Sequence, residues 1–219
     1  MDSSKDFRRV MKSERWGEMR TLSTDQQRRL PAPPLEKPFP DATALVDLVP
    51  PDAFSVGNLS VREAIARRQS RRSYSDAPLS LEELSYLVWA SQGVHDVWRG
   101  GIAVRRTVPS AGSRHPFETY LVVNRVEGLE VGLYRYLSLE HKLLLLRADE
   151  GLPHLTAKAC NNQGFIASSA VTFIWTAIPY RTEWRYAVMS PKLVTLDAGH
   201  VCHALYLAAE SIGAGVCAV

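Results

Sequence analysis

PSAGSRHPFETYLVV, residues 109–123, joins a loop of small and polar residues directly to a strand-like run. Small residues let the backbone approach a planar ligand closely, and the hydroxyls of Ser110 and Ser113 can bond the polar edge of a ring system. The following residues, Thr119 to Asn124, are mostly β-branched, aromatic or aliphatic and favour a β-strand. Taken alone, the loop is an ordinary Ser/Gly/Pro turn, so a role in ligand binding can be inferred only together with the segments around it.

Three helices are predicted on either side of this segment. A short amphipathic helix is predicted over residues 60–68, and a second helix begins at the capping box of Ser80 and Glu83. In a capping box the serine hydroxyl satisfies an orphan amide and the glutamate reaches back to the N-cap amide. The longest helix is predicted from about Pro191 to Ile212, because apolar residues recur there at helical spacing and Gly213 is a natural C′ residue.

Several strand signals complete the pattern. Residues 132–136 and 142–147 flank a polar turn and predict a hairpin. Residues 170–177 predict a buried central strand, and residues 216–219 predict the start of another strand. Helices outside, strands between and a local hairpin predict an α+β fold, in which a mixed, mainly antiparallel sheet is flanked by helices.

The chain divides by composition into two regions. Residues 31–51 carry seven of the thirteen prolines, and proline fixes φ and removes a backbone donor, so this stretch is predicted to be extended. We call residues 31–51 the strap and expect it to lie on the surface of the globular body. The predicted regions are an N-terminal arm with the strap over residues 1–58, and one domain over residues 59–219.

The charge distribution and the lack of long apolar runs exclude several classes of function. Residues 1–30 hold eight Lys/Arg and five Asp/Glu, which accounts for the whole net charge of +3. The remaining body is neutral, so no basic face for nucleic acid is predicted. No apolar run reaches the roughly 18 residues of a membrane span, and the N-terminus has no secretory apolar stretch. A cytoplasmic protein with neither a nucleic acid nor a membrane as partner is therefore expected.

The three cysteines, Cys160, Cys202 and Cys217, are too few and too scattered for a disulfide framework. Cys202 lies between His200 and His203. A structural zinc site needs four convergent ligands, so we interpret these side chains as packing residues and predict no metal.

Two further segments carry possible chemistry. In the run RQSRRSY, residues 68–74, Arg68, Ser70 and Arg72 alternate, so in an extended chain they point to the same side. Two guanidiniums and a hydroxyl on one side suit a phosphate, although a solvated basic surface is the commoner explanation. In the run EWRY, residues 183–186, Tyr186 can donate a proton and Arg185 can stabilise negative charge, although alone this run indicates only a helix face with an aromatic anchor.

In their order and spacing, these segments resemble the nitroreductase superfamily and, within it, the SagB-type dehydrogenases. That group is related to the thiazoline and oxazoline oxidases of ribosomal peptide biosynthesis. The most specific match is residues 109–123, and residues 68–74 match the family's phosphate-binding opening. The similarity continues through PLSLEELSYLVWASQGV, VEGLEVGLYRY and LDAGHVCHALYLAAESIGAGVCAV, residues 78–94, 126–136 and 196–219. Residues 25–40 are similar to the group's N-terminal extension.

The resemblance implies an FMN-binding α+β fold formed as an intertwined homodimer, with two flavin sites at the dimer interface. Arg68, Ser70 and Arg72 would hold the FMN phosphate and ribityl chain. The isoalloxazine would be contacted from the other subunit by a loop and from its own subunit by the last strand, a set that comprises Pro109, Ser110, Ala111, Ser113, Cys217 and Ala218. The reaction would be hydride transfer through the flavin N5, with NAD(P)H as a candidate electron donor and a small molecule or a peptide as substrate.

The sequence departs from the family pattern at several places, of which two bear on catalysis and cofactor binding. The family's last strand continues past the flavin to a further basic residue, so the domain over residues 59–219 is expected to be truncated at its C-terminal strand. Azoline oxidases carry a Lys-Tyr pair for proton abstraction, whereas the matching pair, implied to be catalytic, is Arg185 and Tyr186. Arginine stays protonated and cannot act as a base.

Three hypotheses remain open from the sequence. The first is a SagB-type dehydrogenase, and the second is an NAD(P)H-linked reductase of nitro compounds, quinones or enones. The third is a non-catalytic paralogue that docks on a partner or a peptide.

Overall fold

A computed structural model describes residues 8, 9, 11–40 and 45–219. Its strands are β1 (Leu45–Asp47), β2 (Val94–Trp98), β3 (Ala103–Arg106), β4 (Phe117–Val123), β5 (Gly132–Leu137), β6 (Lys142–Ala148) and β7 (Val171–Ala177). Five of them form an antiparallel sheet in the order β1-β6-β5-β4-β7, and β2 and β3 form a separate hairpin. Its helices are α1 (Trp16–Met19), α2 (Val61–Arg67), α3 (Leu81–Gln92), α4 (Leu152–Ala159), α5 (Pro179–Tyr186) and α6 (Ser190–Ser211). The predicted α+β class is confirmed.

Helices α3 and α6 pack on one face of the sheet. Leu84 and Val88 of α3 meet strand residues in a core of fully or nearly fully buried side chains, which includes Leu121, Val123, Tyr134, Tyr136 and Leu143. Leu87 of α3 packs against Leu205, Ala208 and Ala209 of α6. The two helices are therefore fixed to each other as well as to the sheet. Among the described residues, no helix is both long and apolar enough to cross a membrane.

The helix ends follow the local signals in the sequence. Ser80 and Glu83 form the predicted capping box at the start of α3, and Ser60 and Glu63 form a second one at the start of α2. At the end of α6, the Gly213 amide donates to the Glu210 carbonyl and the Ala214 amide donates to the Ala209 carbonyl. This pair of bonds is a Schellman motif with Gly213 at a φ of 76°. The motif turns the chain back towards α2.

Strand β7 is an edge strand, whereas a central strand was predicted from residues 170–177. Its hydrogen-bonded neighbour is β4, and its side chains are half-buried or exposed. Phe173 and Trp175 pack towards α6. The prediction of a central strand was therefore wrong. A continuous apolar run indicates that both faces of a strand are covered, but it does not show whether both of its edges are paired with other strands.

The strap crosses the face of the sheet that lies opposite the helices. Its residues 31–40 form no helix, as predicted, and bend at residues 35–36, and β1 adds an edge strand to β6. The Lys37 amide donates to Glu118 Oε1 over 2.9 Å, and Arg135 Nη2 donates to the Lys37 carbonyl over 2.7 Å. Glu36 Oε1 accepts hydrogen bonds from the Ser138 amide at 2.6 Å and the Ser138 hydroxyl at 2.8 Å. Residues 1–7, 10 and 41–44 of the predicted arm and strap lie outside the described residues.

Charged side chains under the strap are almost completely buried. Glu118 is 4%, Arg135 3% and Arg181 2% exposed. Arg181 forms an ion pair with Glu118, and its Nε donates to the Pro34 carbonyl over 2.9 Å. Because buried charges are tolerated only when they are paired and hydrogen-bonded, this network requires the strap to be in place.

Glu118→Ala should destabilise the protein by about 3–5 kcal/mol, because it leaves the buried Arg181 without its counter-ion. The exposed ion pair between Asp47 and Lys142 in the same sheet is a matched control. Asp47→Ala should cost less than about 1 kcal/mol. Urea unfolding monitored by circular dichroism measures both values, and equal losses would contradict a special role for the buried pair.

Glu36→Gln should remove part of the pH dependence of stability. The pKa of Glu36 is raised to about 7, chiefly by burial and also by the neighbouring Glu140, against the hydrogen bonds from Ser138, which lower it. An acid with a raised folded pKa contributes stability that is present below its unfolded pKa of 4.5 and lost as the pH rises through about 7. Glutamine keeps the acceptor oxygen and does not titrate. Between pH 5 and pH 8 the wild type should therefore lose more stability than the variant, and parallel curves would refute the prediction.

Candidate active site

The alternating run at residues 68–72 begins where α2 ends. Arg68 is the C-cap of α2, and Ser70 forms a parallel bridge to Val216. Arg71, which lies between the predicted phosphate ligands, turns to α6 and forms an ion pair with Glu210. Arg68 and Ser70 both meet Tyr206 instead. They therefore share one side of an extended chain, as the alternation predicts. We call Arg68, Ser70 and Arg72 the basic grip.

Tyr206 joins the basic grip to the end of the described chain. The Tyr206 and Ser70 hydroxyl oxygens are 3.0 Å apart, and the Ala218 amide donates to the Tyr206 hydroxyl over 2.8 Å. The Arg68 guanidinium lies 5.7 Å from the centroid of the Tyr206 ring. Sequence reasoning missed this residue. The available signal was a tyrosine on an otherwise apolar helix, since a buried tyrosine hydroxyl needs a hydrogen-bond partner.

Tyr74 lies in the same cluster. Burial raises its pKa, the nearby Cys217 and Tyr206 raise the pKa further, and the positive charge of Arg72 opposes them. Its hydroxyl donates to the Arg71 carbonyl over 2.9 Å. The structure thus places the basic grip close to Cys217 and Ala218. That these residues bind a flavin stays a prediction.

The loop at residues 109–113 is held by a carboxylate that sequence reasoning also missed. Asp197 of α6 is 3% exposed. It accepts hydrogen bonds from the Ser110 hydroxyl at 2.6 Å and from the Ala111 amide at 3.2 Å. Burial raises the pKa of Asp197, and these two hydrogen bonds oppose the shift. The signal in the sequence was an aspartate within the apolar helix, because a buried carboxylate needs donors.

The same loop packs directly on Arg185 and Tyr186. A Cβ atom at Gly112 would lie 2.7 Å from Arg185 Cδ and 2.8 Å from the Tyr186 hydroxyl oxygen, so a larger residue there would displace these two side chains. Gly112, Ser113 and His115 have φ values of 60°, 54° and 43°. Left-handed conformations at non-glycine residues cost energy and cluster at functional sites. The predicted catalytic pair and the loop thus form one cluster.

Helix α6 separates the two clusters. Asp197 and Tyr206 are nine residues apart, which corresponds to about 13 Å along the axis and about 2.5 turns. Two and a half turns place the two side chains on opposite sides of the helix. Within one chain, the structure therefore brings the basic grip to the Cys217–Ala218 segment and the loop to Tyr186, but does not bring these two groups together.

A cavity of about 470 Å³ opens beside the end of α5. Trp16 of α1 meets the Tyr186 ring edge-on at a centroid distance of 6.3 Å. The cavity is lined by the N-terminal arm on one side and by the residues around Tyr186 on the other, a set that comprises Arg15, Ser23, Thr24, Asp25, Tyr180, Glu183, Ala187, Val188 and Pro191. Within the described part of the chain, no group of three or more His, Cys, Asp or Glu side chains could hold a metal ion.

Comparisons with known proteins agree with the sequence pattern and with the fold. Residues 65–219 match the nitroreductase family. The chain is 35% identical over 164 residues to the protein named "Putative nitroreductase MJ1384" of Methanocaldococcus jannaschii, which covers 75% of this chain and 80% of that protein. It is 29% identical over 184 residues to the trifolitoxin-processing protein TfxB of Rhizobium leguminosarum bv. trifolii, covering 77% of this chain and 46% of TfxB. The chain thus spans about half the length of TfxB.

Two solved structures share the fold. A protein from Ralstonia eutropha JMP134 with the same nitroreductase designation superimposes with a TM-score of 0.62 at 26% identity, covering 85% of this chain and 83% of that one. A chain of the E. coli microcin synthetase McbBCD complex with truncated pro-MccB17 bound has a TM-score of 0.56 at 20% identity, over 76% of this chain and 64% of that one. On the family match and the identity to the archaeal relative, this chain belongs to the nitroreductase family of oxidoreductases.

Proposed function

We propose that this protein is an FMN-dependent oxidoreductase related to the SagB-type dehydrogenases and active as a homodimer. The observation that carries the proposal is the basic grip. Of the three arginines at residues 68, 71 and 72, Arg71 is neutralised by Glu210. Arg68 and Arg72 form no ion pair with any described residue. Two free guanidiniums on either side of the Ser70 hydroxyl fit a phosphate dianion, since arginine binds phosphate through charge-assisted hydrogen bonds.

The loop at residues 109–113 fits the edge of a planar ring system. Ser110 and Ala111 use their polar groups to hold Asp197, so we assign them to the shape of the loop. The Ser113 hydroxyl has no hydrogen-bond partner among the described residues. We therefore propose that Ser113 supplies the free hydroxyl, while Pro109 and Gly112 keep the backbone close to the ring.

The homodimer is supported by the positions of the two clusters on α6. They lie on opposite sides of the helix, so a second copy is needed to place the loop of one chain against the basic grip of the other. Exposed apolar side chains on both helices also support a dimer, since Val61 and Ile65 of α2 are 68% and 59% exposed and Leu196 of α6 is 49% exposed. Such patches commonly mark interfaces.

Arg185 and Tyr186 favour reactions in which the substrate gains a proton. When bound, FMN supplies hydride transfer at its N5. The Arg185 guanidinium lies 5.5 Å from the centroid of the Tyr186 ring, where it stabilises negative charge on the reacting group and cannot itself accept a proton. Tyr186 is then the proton donor. Reduction is thus favoured over the oxidation of an azoline, which requires a base, and NAD(P)H is the candidate electron donor.

We propose a peptide as the substrate class. TfxB is named as a trifolitoxin-processing protein, and the microcin synthetase structure contains bound truncated pro-MccB17. The cavity beside Tyr186 is open to solvent and has both hydroxyl and carboxylate groups in its wall, so it can accept a side chain that remains attached to a longer molecule. A nitro compound, a quinone or an enone is the alternative substrate.

The absorbance spectrum of the purified protein, recorded with its mass in solution, tests the proposed cofactor and the dimer together. Flavin bands on a dimer are expected. A protein that is colourless and does not take up added FMN would overturn the proposal in favour of a docking module without catalysis.

Arg68→Ala combined with Arg72→Ala should weaken FMN binding by about two orders of magnitude or more, because each charge-assisted contact contributes roughly 1.5–3 kcal/mol. Arg62→Ala combined with Arg67→Ala removes the same charge from α2 and should leave the affinity nearly unchanged. Flavin fluorescence titration of the protein stripped of cofactor measures both. Retention of full affinity in the first variant would refute the phosphate assignment.

Tyr186→Phe should slow turnover by roughly 10²-fold or more and leave the flavin content unchanged, because it removes a proton donor. Tyr120→Phe is the matched control, since Tyr120 lies in β4 on the face away from the helices. The steady-state rate of NADH oxidation with a nitroaromatic compound as electron acceptor measures the effect. An unchanged rate would remove Tyr186 from the mechanism.

A further inference from the structure

We propose that Tyr206 is a positioning residue for the phosphate of the flavin, through a chain of hydrogen bonds that runs from the Ala218 amide through Tyr206 to Ser70. This inference rests on the proposed function, because it concerns the same phosphate. It adds a residue on α6 that does not touch the ligand and sets the direction in which the Ser70 hydroxyl points.

The direction of the chain follows from the donors available. The Ala218 amide can only donate, so at 2.8 Å the Tyr206 oxygen is its acceptor. The Tyr206 hydroxyl carries one proton, and the Ser70 oxygen lies 3.0 Å away. When Tyr206 donates to Ser70, the serine keeps its own proton free. A phosphate oxygen can only accept, so this is the arrangement in which Ser70 binds phosphate.

The chain also strengthens the last hydrogen bond. Consecutive hydrogen bonds polarise one another, so a hydroxyl that accepts a hydrogen bond becomes a better donor. Tyr206 is 9% exposed, which keeps water from competing for its hydroxyl.

The Tyr206 ring also contacts a second residue of the basic grip, Arg68. The Arg68 guanidinium lies 5.7 Å from the ring centroid, within the range of a cation–π contact. One turn further along α6, Glu210 holds Arg71. The last turns of α6 therefore support the whole segment from Arg68 to Arg71, while leaving the guanidinium of Arg68 without a counter-ion among the described residues.

The variant Tyr206→Phe distinguishes the contribution of the Tyr206 hydroxyl from that of its ring. The variant keeps the buried ring and the contact with Arg68, and loses the hydrogen-bond chain. We expect FMN to bind about tenfold more weakly, in the range of one net hydrogen bond, and riboflavin to bind as it does to the wild type because riboflavin has no phosphate. Tyr86→Phe is the matched control, since Tyr86 of α3 makes a similar hydroxyl contact of 3.1 Å with Ser211 of α6 and lies outside the basic grip.

A double-mutant cycle with Ser70→Ala completes the experiment. If Tyr206 acts through Ser70, Tyr206→Phe should have little further effect on FMN affinity once Ser70 is alanine. An equal loss of FMN and riboflavin affinity in Tyr206→Phe would show a general structural role and overturn the inference. So would an unchanged FMN affinity, or a full additional loss in the Ser70→Ala background.

The affinities of the wild type for FMN and for riboflavin distinguish the failure of the proposed function from the failure of the role inferred for Tyr206. The proposed function requires that the wild type binds FMN, and more tightly than riboflavin. The inference requires that this preference shrinks in Tyr206→Phe and persists in Tyr86→Phe. A wild type that binds neither flavin would overturn both. Thermal melting of each variant without ligand shows that the fold is intact, and Ser70→Ala alone should reproduce the selective loss of FMN affinity.

Discussion

The position of the candidate catalytic pair depends on one buried guanidinium. Arg181, at the start of α5, is paired with Glu118 of the sheet and donates to the strap at Pro34. Its carbonyl accepts a hydrogen bond of 2.9 Å from Arg114 Nε, directly after the loop at residues 109–113. Sheet, strap, loop and α5 are thus joined at a single residue, Arg181. A buried charge that lost one of these partners would be strongly unfavourable, so Tyr186, little more than one turn along α5, is held in a fixed place.

Helix α6 holds both parts of the proposed site in place, namely the loop at residues 109–113 and the basic grip. Asp197 fixes the loop, and Tyr206 and Glu210 fix the segment that carries the basic grip. Both halves are attached to one continuous helix, which is itself packed on α3. The separation between the halves is therefore set by the helical repeat. In a symmetric homodimer each α6 would serve one flavin site through Asp197 and the other through Tyr206, which makes the spacing between the two sites a property of this helix.

The parts of the fold that depend on local chemistry could be predicted from the sequence. The capping box at Ser80 and the turn at Gly213 involve residues within one or two turns of each other, and the alternation from Arg68 to Arg72 needs only an extended backbone. The residues that were missed act over long distances in the chain. Tyr206 meets Ser70, and Asp197 meets Ser110, across 136 and 87 residues. Periodicity places such a side chain on a helix face but carries no information on the loop that covers it. The same limit explains the wrong position of β7, because edge pairing is a non-local property.

The charges around Tyr186 explain why this site suits the stabilisation of negative charge. Burial lowers the pKa of Arg114, and the like charges of Arg185 and Arg181 lower it further. Burial together with the positive charge of Arg106 lowers the pKa of His115 to about 3, so this histidine stays neutral. On the loop side of Tyr186, the guanidiniums of Arg114 and Arg185 therefore supply positive charge, and His115 does not accept a proton near neutral pH. The carboxylates of Asp25 and Glu183 lie on the cavity side. In a partly buried site such a field favours an anion that forms during the reaction over the cation that proton capture would create. Under the proposed function, Tyr186, which lies beside Gly112 at the edge of this field, would donate the proton to a substrate that enters from the cavity.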